Sequence, residues 1–388
     1  MREMPQFKDS MNRRDFLKAA ASAAGTGMIM SSLPIRCVIG EETEKMRYRR
    51  LGRTNLMISE IVGAHDWHRV LYQPALKMGV NYWHKAGYWR SFPEEFAKID
   101  RESYYTDDTV DTLDYDEAIR QTEERLERSG MKYFDFFKIH SLHRTAEDFK
   151  TKTGVLKAFE HLKKQGKVRY LAASQDTNVP EMCSVYIESG LFDALQPVFS
   201  FGAGKDFLDM LELAKKHDVG IIVMKTMTGL DAFKENEELM SAFGPEGMPG
   251  RALLRWILSV PGVTACVPLN RNFDQFNENM GAAMGRRVAY RQDVIKRYAA
   301  QKAKGGNCYF CGTCEKDCPQ NIRVADILRY SMYHKRYDGA QSKARSLYSQ
   351  LSVAERVGNC TACGVCEEVC PYDLPIMSLL TDAHTRLA

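Results

Sequence analysis

At 388 residues the chain is long enough for two domains, and 44% hydrophobic with 27% charged residues is an ordinary soluble balance. A net charge of +4, dispersed along the length, excludes the strongly basic surface of a nucleic-acid-binding domain. Eleven cysteines are present, and eight of them fall in two short runs near the end.

Residues 1–45 read as a targeting segment and linker. Asn12-Arg13-Arg14-Asp15-Phe16-Leu17-Lys18 precedes an apolar, small-residue stretch from Ala19 to Ile35. Adjacent arginines before such a stretch resemble a twin-arginine export signal, which implies a periplasmic protein with only transient membrane contact. Gly25, Gly27 and Pro34 make the apolar run marginal as a transmembrane span. Cys37 follows Arg36, which argues against lipoprotein processing there. Like Cys183 and Cys266, it reads as an isolated thiol.

From residue 46 to 290 short apolar strands alternate with amphipathic helices. The expected strands are Leu56–Gly63, Gly79–His84, Ser103–Asp107, Tyr133–His140, Arg169–Ser174, Ala194–Ser200, Ile221–Thr226 and Thr264–Leu269. Helical stretches between them include Tyr115–Ser129, Phe149–Gln165, Asp206–His217 and Arg251–Ser259, with Gly166, Gly220 and Gly262 marking returns to strand. Eight such units predict an α/β fold, a (β/α)8 TIM barrel. A doubly wound sheet is the alternative, but no G-x-G-x-x-G follows the first strand.

A barrel places its chemistry at the C-terminal ends of its strands. Those ends carry His65, Asp66 and His68, then His84, Lys85 and Tyr88, then Asp107 and Asp108, then His140 and His143, then Ser174 and Gln175. Five of the nine histidines thus fall on one rim. They are either ordinary loop histidines or the lining of a polar pocket, and a bound metal would need three of them to converge.

Residues 291–388 hold the cysteine runs. Cys308, Cys311, Cys314 and Cys318 precede Pro319 in the spacing C-x2-C-x2-C-x3-C-P, and Cys360, Cys363, Cys366 and Cys370 repeat it before Pro371. This run holds a [4Fe–4S] cluster, and two copies read as a two-cluster ferredoxin module in which each fourth cysteine serves the other cluster. The expected ligand sets are Cys308, Cys311, Cys314 and Cys370 for one, and Cys360, Cys363, Cys366 and Cys318 for the other. Zinc sites usually show paired C-x-x-C units with longer separations, and disulfides need no duplicated run.

With these residues in view, the chain from Tyr48 to about Asn279 resembles the aldo/keto reductases. The resemblance is carried by Tyr48-Arg49-Arg50-Leu51-Gly52-Arg53-Thr54, Gly79-Val80-Asn81-Tyr82, Tyr133 to His140, and Glu278-Asn279. The joined architecture is similar to iron–sulfur-fused members, and helix-rich stretches at Asp326–Tyr333 and Gln341–Leu351 look like an α-helical ferredoxin type. The family's catalytic set is Asp, Tyr, Lys and His. Tyr88 and His140 match two of these, His84 stands at the Asp position, and Asp107 at the Lys position. A carboxylate in place of that Lys disfavours Tyr ionisation.

The resemblance also implies a nicotinamide site. Ser174 and Gln196 match carboxamide-binding residues, Gln175 stands at the intervening Asn, and Lys225 replaces the stacking aromatic. Leu269 and Gln275 occupy the places of the two cations that clamp a 2′-phosphate. Glu278 and Asn279 are kept. NAD(P) binding is therefore left open, and two [4Fe–4S] clusters are the expected cofactors. The combined reading is an exported oxidoreductase. It moves electrons between a redox partner or carrier and a small-molecule substrate, with Tyr88, His140, His84 and Asp107 as the catalytic candidates. The alternatives are a non-catalytic electron-transfer or sensor subunit with a degenerate barrel, and an NAD(P)H-dependent aldehyde or ketone reductase.

Overall fold

Eight parallel strands lie in the sheet in chain order: β1 (Gly63–Ala64), β2 (Tyr82–His84), β3 (Tyr105–Val110), β4 (Phe134–His140), β5 (Val168–Gln175), β6 (Ala194–Pro197), β7 (Gly220–Met224) and β8 (Ala265–Val267). The two ends of the sheet meet. Val62 N donates to Cys266 O and Cys266 N to Glu60 O, each at 2.9 Å, beside a parallel bridge between Ile61 and Cys266. This closure makes the (β/α)8 barrel expected from the alternation of strands and helices. The computed structural model describes residues 45–89, 93–228, 230, 237–242, 249–284, 307–337 and 339–388. The expected export signal, Cys37 and the expected junction near residue 290 lie outside them.

Each expected strand overlaps an observed one, although β3, β5 and β7 run one to three residues past the expected bounds, and the first is divided. Met57–Ser59 pairs antiparallel with Tyr48–Arg50 as a hairpin, and only Gly63–Ala64 joins the barrel. The break falls at Glu60, which is fully buried and accepts from Arg47 at 2.9 Å and Arg49 at 2.5 Å. A buried carboxylate needs such partners, so the chain bends to bring them together. The hairpin supplies Leu51 and Ile58 to a small interior core with Val62, Tyr82, Phe136, Ala172, Ala194, Ile222 and Ala265. Side chains thus fill the barrel's interior and leave its chemistry at the rim.

The covering helices are set by their ends. α1 (Tyr115–Ser129) starts where Asp114 accepts from Glu117 N at 2.9 Å and stops at Gly130, whose φ of 67 is left-handed. Its buried face includes Ala118, Thr122, Arg125 and Leu126, a helical spacing.

Among the described residues the C-terminal part is built from turns, two four-residue helices (Thr313–Lys316 and Val365–Glu368) and three longer ones, α2 (Val324–Arg336), α3 (Gln341–Ser349) and α4 (Ile376–Leu387). Its two halves repeat one another. Phe310, Gly312 and Asn321 have positive φ, and so do their counterparts Ala362, Gly364 and Asp373. Glu315 accepts from Ala325 N at 2.7 Å just as Glu367 accepts from Met377 N at 2.8 Å. Residues 43–388 form one compact unit, and this part is docked on the barrel. Tyr309 donates to Phe201 O at 2.9 Å, Gly204 N donates to the Tyr372 hydroxyl at 3.1 Å, and Lys316 pairs with Glu181 at 2.8 Å. Gly312 is required at this seam, because a Cβ there would overlap the Asn178 side chain.

Candidate functional site

A cleft of about 400 Å³ opens at the C-terminal ends of the strands. His65 and Asp66 line it after β1, His84 and Lys85 after β2, Gln196 from β6, Lys225 and Thr226 after β7, and Leu269 after β8. Glu278 and Asn279 contribute a further wall, and Met332, Arg336 and Tyr337 of the C-terminal part close it over. Lys85 and Lys225 have φ of 55 and 56, left-handed values that ordinary side chains avoid. Backbone of this kind gathers at functional sites because the surroundings must hold it in place.

Below the cleft lies a buried charged cluster. Lys138 on β4 is 1% exposed and reaches Asp107 at 2.8 Å, Gln196 Oε1 at 2.6 Å and His84 Nδ1 at 2.7 Å. Asp107 also accepts from Lys85 N at 2.8 Å, and its Oδ2 lies 3.2 Å from His84 Nδ1. Burial alone would raise the Asp107 pKa, but Lys138 and His84 outweigh it and hold the carboxyl well below the usual range. Burial lowers Lys138 to about 8 against the pull of Asp107. Burial, aided by the Lys138 cation, lowers His84 to about 3. At neutral pH this is an ion pair beside a neutral imidazole.

The four catalytic candidates are not gathered into one group. His84 and Asp107 adjoin each other, and only His84 reaches the cleft. The Tyr88 hydroxyl instead donates to Asp111 Oδ2 at 2.5 Å, with Thr109 O at 3.2 Å and Arg125 Nη2 at 3.3 Å. Burial and then Asp111 raise its pKa, so it is not tuned to give up a proton. His140 Nδ1 lies 2.9 Å from Ser174 Oγ, and burial lowers its pKa to about 4.

The nicotinamide-site candidates are likewise divided. Gln175 donates to Thr177 O at 2.6 Å and Ser174 is engaged with His140, so of the carboxamide set only Gln196 lines the cleft. Lys225 is held by Asp176, which also pairs with Arg329 of α2 at 2.9 Å. Burial opposes the charge on Lys225, yet Asp176 outweighs it and raises the pKa. Glu278 accepts from Gly250 N at 2.6 Å, and Asn279 donates to Asn270 Oδ1 at 2.7 Å.

Of the rim histidines, His65 and His84 line the cleft. His68 is exposed and accepts from Val70 N, while His143 is buried against Tyr186 and Lys152 O. They do not converge. Among the described residues no three His, Cys, Asp or Glu side chains come close enough to hold a single metal ion.

The cysteines sort into two quartets. Cys308, Cys311, Cys314 and Cys370 line one cavity together with Val324, Leu328 and Tyr372. Cys318, Cys360, Cys363 and Cys366 line the other with Ile322, Met377 and Leu380. Each quartet has apolar walls, and no three of its thiols come close enough to share a single ion, which suits a cubane cluster better than zinc. Backbone N–H groups of Phe310, Ile322 and Ala362 lie 3.4 Å from Cys308, Cys318 and Cys360 Sγ, the donors that a cluster's thiolates use. Cys183 and Cys266 are buried apart from these quartets.

Sequence reasoning passed over Lys138, Asp176 and Arg329. Lys138 had a signal: it alternates with Phe136 and His140, so it faces the barrel interior rather than the helices. The pairing of Asp176 with Arg329 joins residues far apart in the chain and left none.

A family model described as the aldo/keto reductase family matches residues 96–247, and one described as a 4Fe-4S dicluster domain matches residues 307–374. No curated protein matches the chain. The fold is similar to aldo-keto reductase AKR11C1 from Bacillus halodurans in its holo form, at 18% identity and a TM-score of 0.52, covering 65% of this chain and 96% of that one. The apo form of the same protein gives 17%, 0.51, 65% and 95%. Residues 96–247 therefore match the aldo/keto reductase family within a barrel of (β/α)8 fold, and residues 307–374 match a 4Fe-4S dicluster domain.

Proposed function

We propose that the chain is an iron–sulfur oxidoreductase whose two cysteine quartets connect an outside redox partner to a small-molecule substrate in the barrel cleft. The observation that carries this reading is the placement of the quartets. Cys363 is exposed, whereas Cys308, Cys311, Cys314 and Cys370 lie against the barrel beside Tyr309 and Tyr372, and the adjoining α2 closes the cleft. Bound clusters supply one-electron carriers at these two positions. The chain's own residues do the rest: exposed Cys363 brings its quartet within a partner's reach, and Met332, Arg336 and Tyr337 shield the cleft from water. His84 meets the substrate from below. The twin-arginine segment supports a periplasmic location for this exchange.

The test is to reduce anaerobically prepared protein with dithionite and mix it with a panel of small aldehydes and ketones. Faster recovery of cluster absorbance with one of them than in buffer is expected. No acceleration by any of them would favour the electron-transfer or sensor reading.

A further inference from the structure

Lys138 is donor-only as an ammonium, and its hydrogens go to Asp107 Oδ1, Gln196 Oε1 and His84 Nδ1. The third contact fixes the imidazole. To accept from Lys138, His84 Nδ1 must be bare, so the neutral ring carries its proton on Nε2. In the rival arrangement Nδ1–H would donate to Asp107 at 3.2 Å and set that N–H against an ammonium only 2.7 Å away. Asp107 does not need that bond, since Lys138 and Lys85 N already donate to it.

Gln196 is oriented by the same cation. With Oε1 turned to Lys138, Nε2 finds no partner among the described residues, although Gln196 is only 4% exposed. A buried donor without an acceptor is costly, and both His84 and Gln196 line the cleft. Thr226 Oγ1, another lining group, also has no partner among the described residues.

We propose that Lys138 turns His84 and Gln196 into a pair of donors that holds one negatively polarised ligand oxygen at the floor of the cleft, as in a carbonyl, alkoxide or carboxylate. This deepens the reading of the cleft as a substrate site and rests on it. Lys138 is a positioning residue here, because it touches the ligand only through its two neighbours. The site takes the place that Tyr88 leaves by bonding to Asp111.

Neutron crystallography of perdeuterated holoprotein tests the assignment directly. Deuterium is expected on His84 Nε2 and not on Nδ1, with the Gln196 amide nitrogen toward the cleft. Deuterium on Nδ1, or a reversed Gln196, overturns the proposal. In Lys138→Met the His84 deuterium should move to Nδ1, toward Asp107, while an unchanged Nε2 tautomer would show that Lys138 does not set it. If that variant does not fold, the wild-type density still decides. Oxalate titrated into holoprotein tests the ligand half: His84→Phe and Gln196→Leu should each weaken binding by about tenfold or more, the effect of losing a charge-assisted hydrogen bond. No wild-type binding, or equal binding by the variants, overturns it. Protonation states are read without electron transfer, so failure of the oxidoreductase reading would be seen separately.

Discussion

Arg329 of the cluster domain donates to Asp176 at the end of barrel strand β5, at 2.9 Å, with both side chains nearly excluded from solvent. Asp176 also holds Lys225, so one carboxylate ties together the cluster domain, the fifth strand and the cleft residue after β7. Burial would raise the Asp176 pKa, but Lys225 and Arg329 override it and hold the group far below the usual carboxylate range.

Asp176→Ala leaves the buried Lys225 without its carboxylate, while Arg329 keeps Asp326, at 2.6 Å. Breaking a buried pair by removing one partner costs about 3–5 kcal/mol. Urea denaturation of anaerobic holoprotein should show a loss of that order, and replacing Lys225 and Arg329 by Met in the same variant should restore much of it. An Asp176→Ala protein as stable as wild type would mean the junction is held by other contacts.

Stability should also fall on mild acidification because of His84. Its folded pKa of about 3 lies below the ordinary histidine value, so between those two pH values the unfolded chain binds the extra proton. The contribution is fully present above pH ~6.5 and is lost as pH falls toward ~3, by at most about 1.4 kcal/mol per pH unit. Comparing wild type with His84→Asn isolates this slope from that of other groups. Parallel stability curves for the two proteins between pH 6.5 and 4.5 would count against a buried neutral imidazole.

Much of this was legible from the chain. Strands such as β4 and β5 announce themselves as apolar runs between turn residues, and the cysteine spacing identifies its cluster chemistry locally. The division of the first strand was not legible, because Leu56–Gly63 reads as one strand until the folded hairpin brings Arg47 and Arg49 onto buried Glu60. The site was harder still. Tyr88 and His140 stand where the family resemblance places a catalytic pair, yet their hydrogen bonds run to Asp111 and Ser174, partners that a sequence pattern does not reveal. Lys138 escaped because a lysine within an apolar strand is ordinarily turned outward.

Cross-ligation of the clusters can be separated from ligation within each run. Cys318 belongs to the first sequence run but lines the cavity of Cys360, Cys363 and Cys366. Anaerobic wild-type protein should contain about eight irons, and Cys318→Ser should lose chiefly the cluster of that second cavity. Iron analysis with electron paramagnetic resonance, repeated on Cys370→Ser, tells the two apart. Loss of the Cys308 cluster in the Cys318 variant would reverse the assignment.

The proposed export rests on the pair Arg13 and Arg14, which resembles what the twin-arginine pathway reads. Changing Arg13 and Arg14 together to Lys should leave folded, cluster-loaded protein in the cytoplasm. Fractionation that finds the variant in the periplasm at wild-type levels would remove the targeting claim.

The nicotinamide cofactor separates this chain most sharply from the family its barrel resembles. Hydride transfer from NADPH should be poor or absent, for separate reasons along the length of the nucleotide. At the reacting end, Lys225 stands where a stacking ring belongs and is fastened to Asp176, so it does not swing aside cheaply. Ser174 and Gln175 are committed to His140 and Thr177 O, which leaves Gln196 alone to meet a carboxamide. At the far end Leu269 has no charge, and Gln275 accepts from Arg271 N at 3.0 Å to close a helix start. Two absent cations remove hydrogen bonds worth about 1.5–3 kcal/mol each, so NADPH should bind no tighter than NADH. Lys225→Trp alone should not restore turnover, because the carboxamide set would remain divided and Tyr88 would still be bonded to Asp111. Fluorescence titration of cluster-loaded protein with both nucleotides, followed by assays on small aldehydes, measures this. Micromolar NADPH binding with a clear preference over NADH, together with steady aldehyde reduction, would mean that Asp176 releases Lys225 when the cofactor arrives, and that the barrel works as an ordinary reductase.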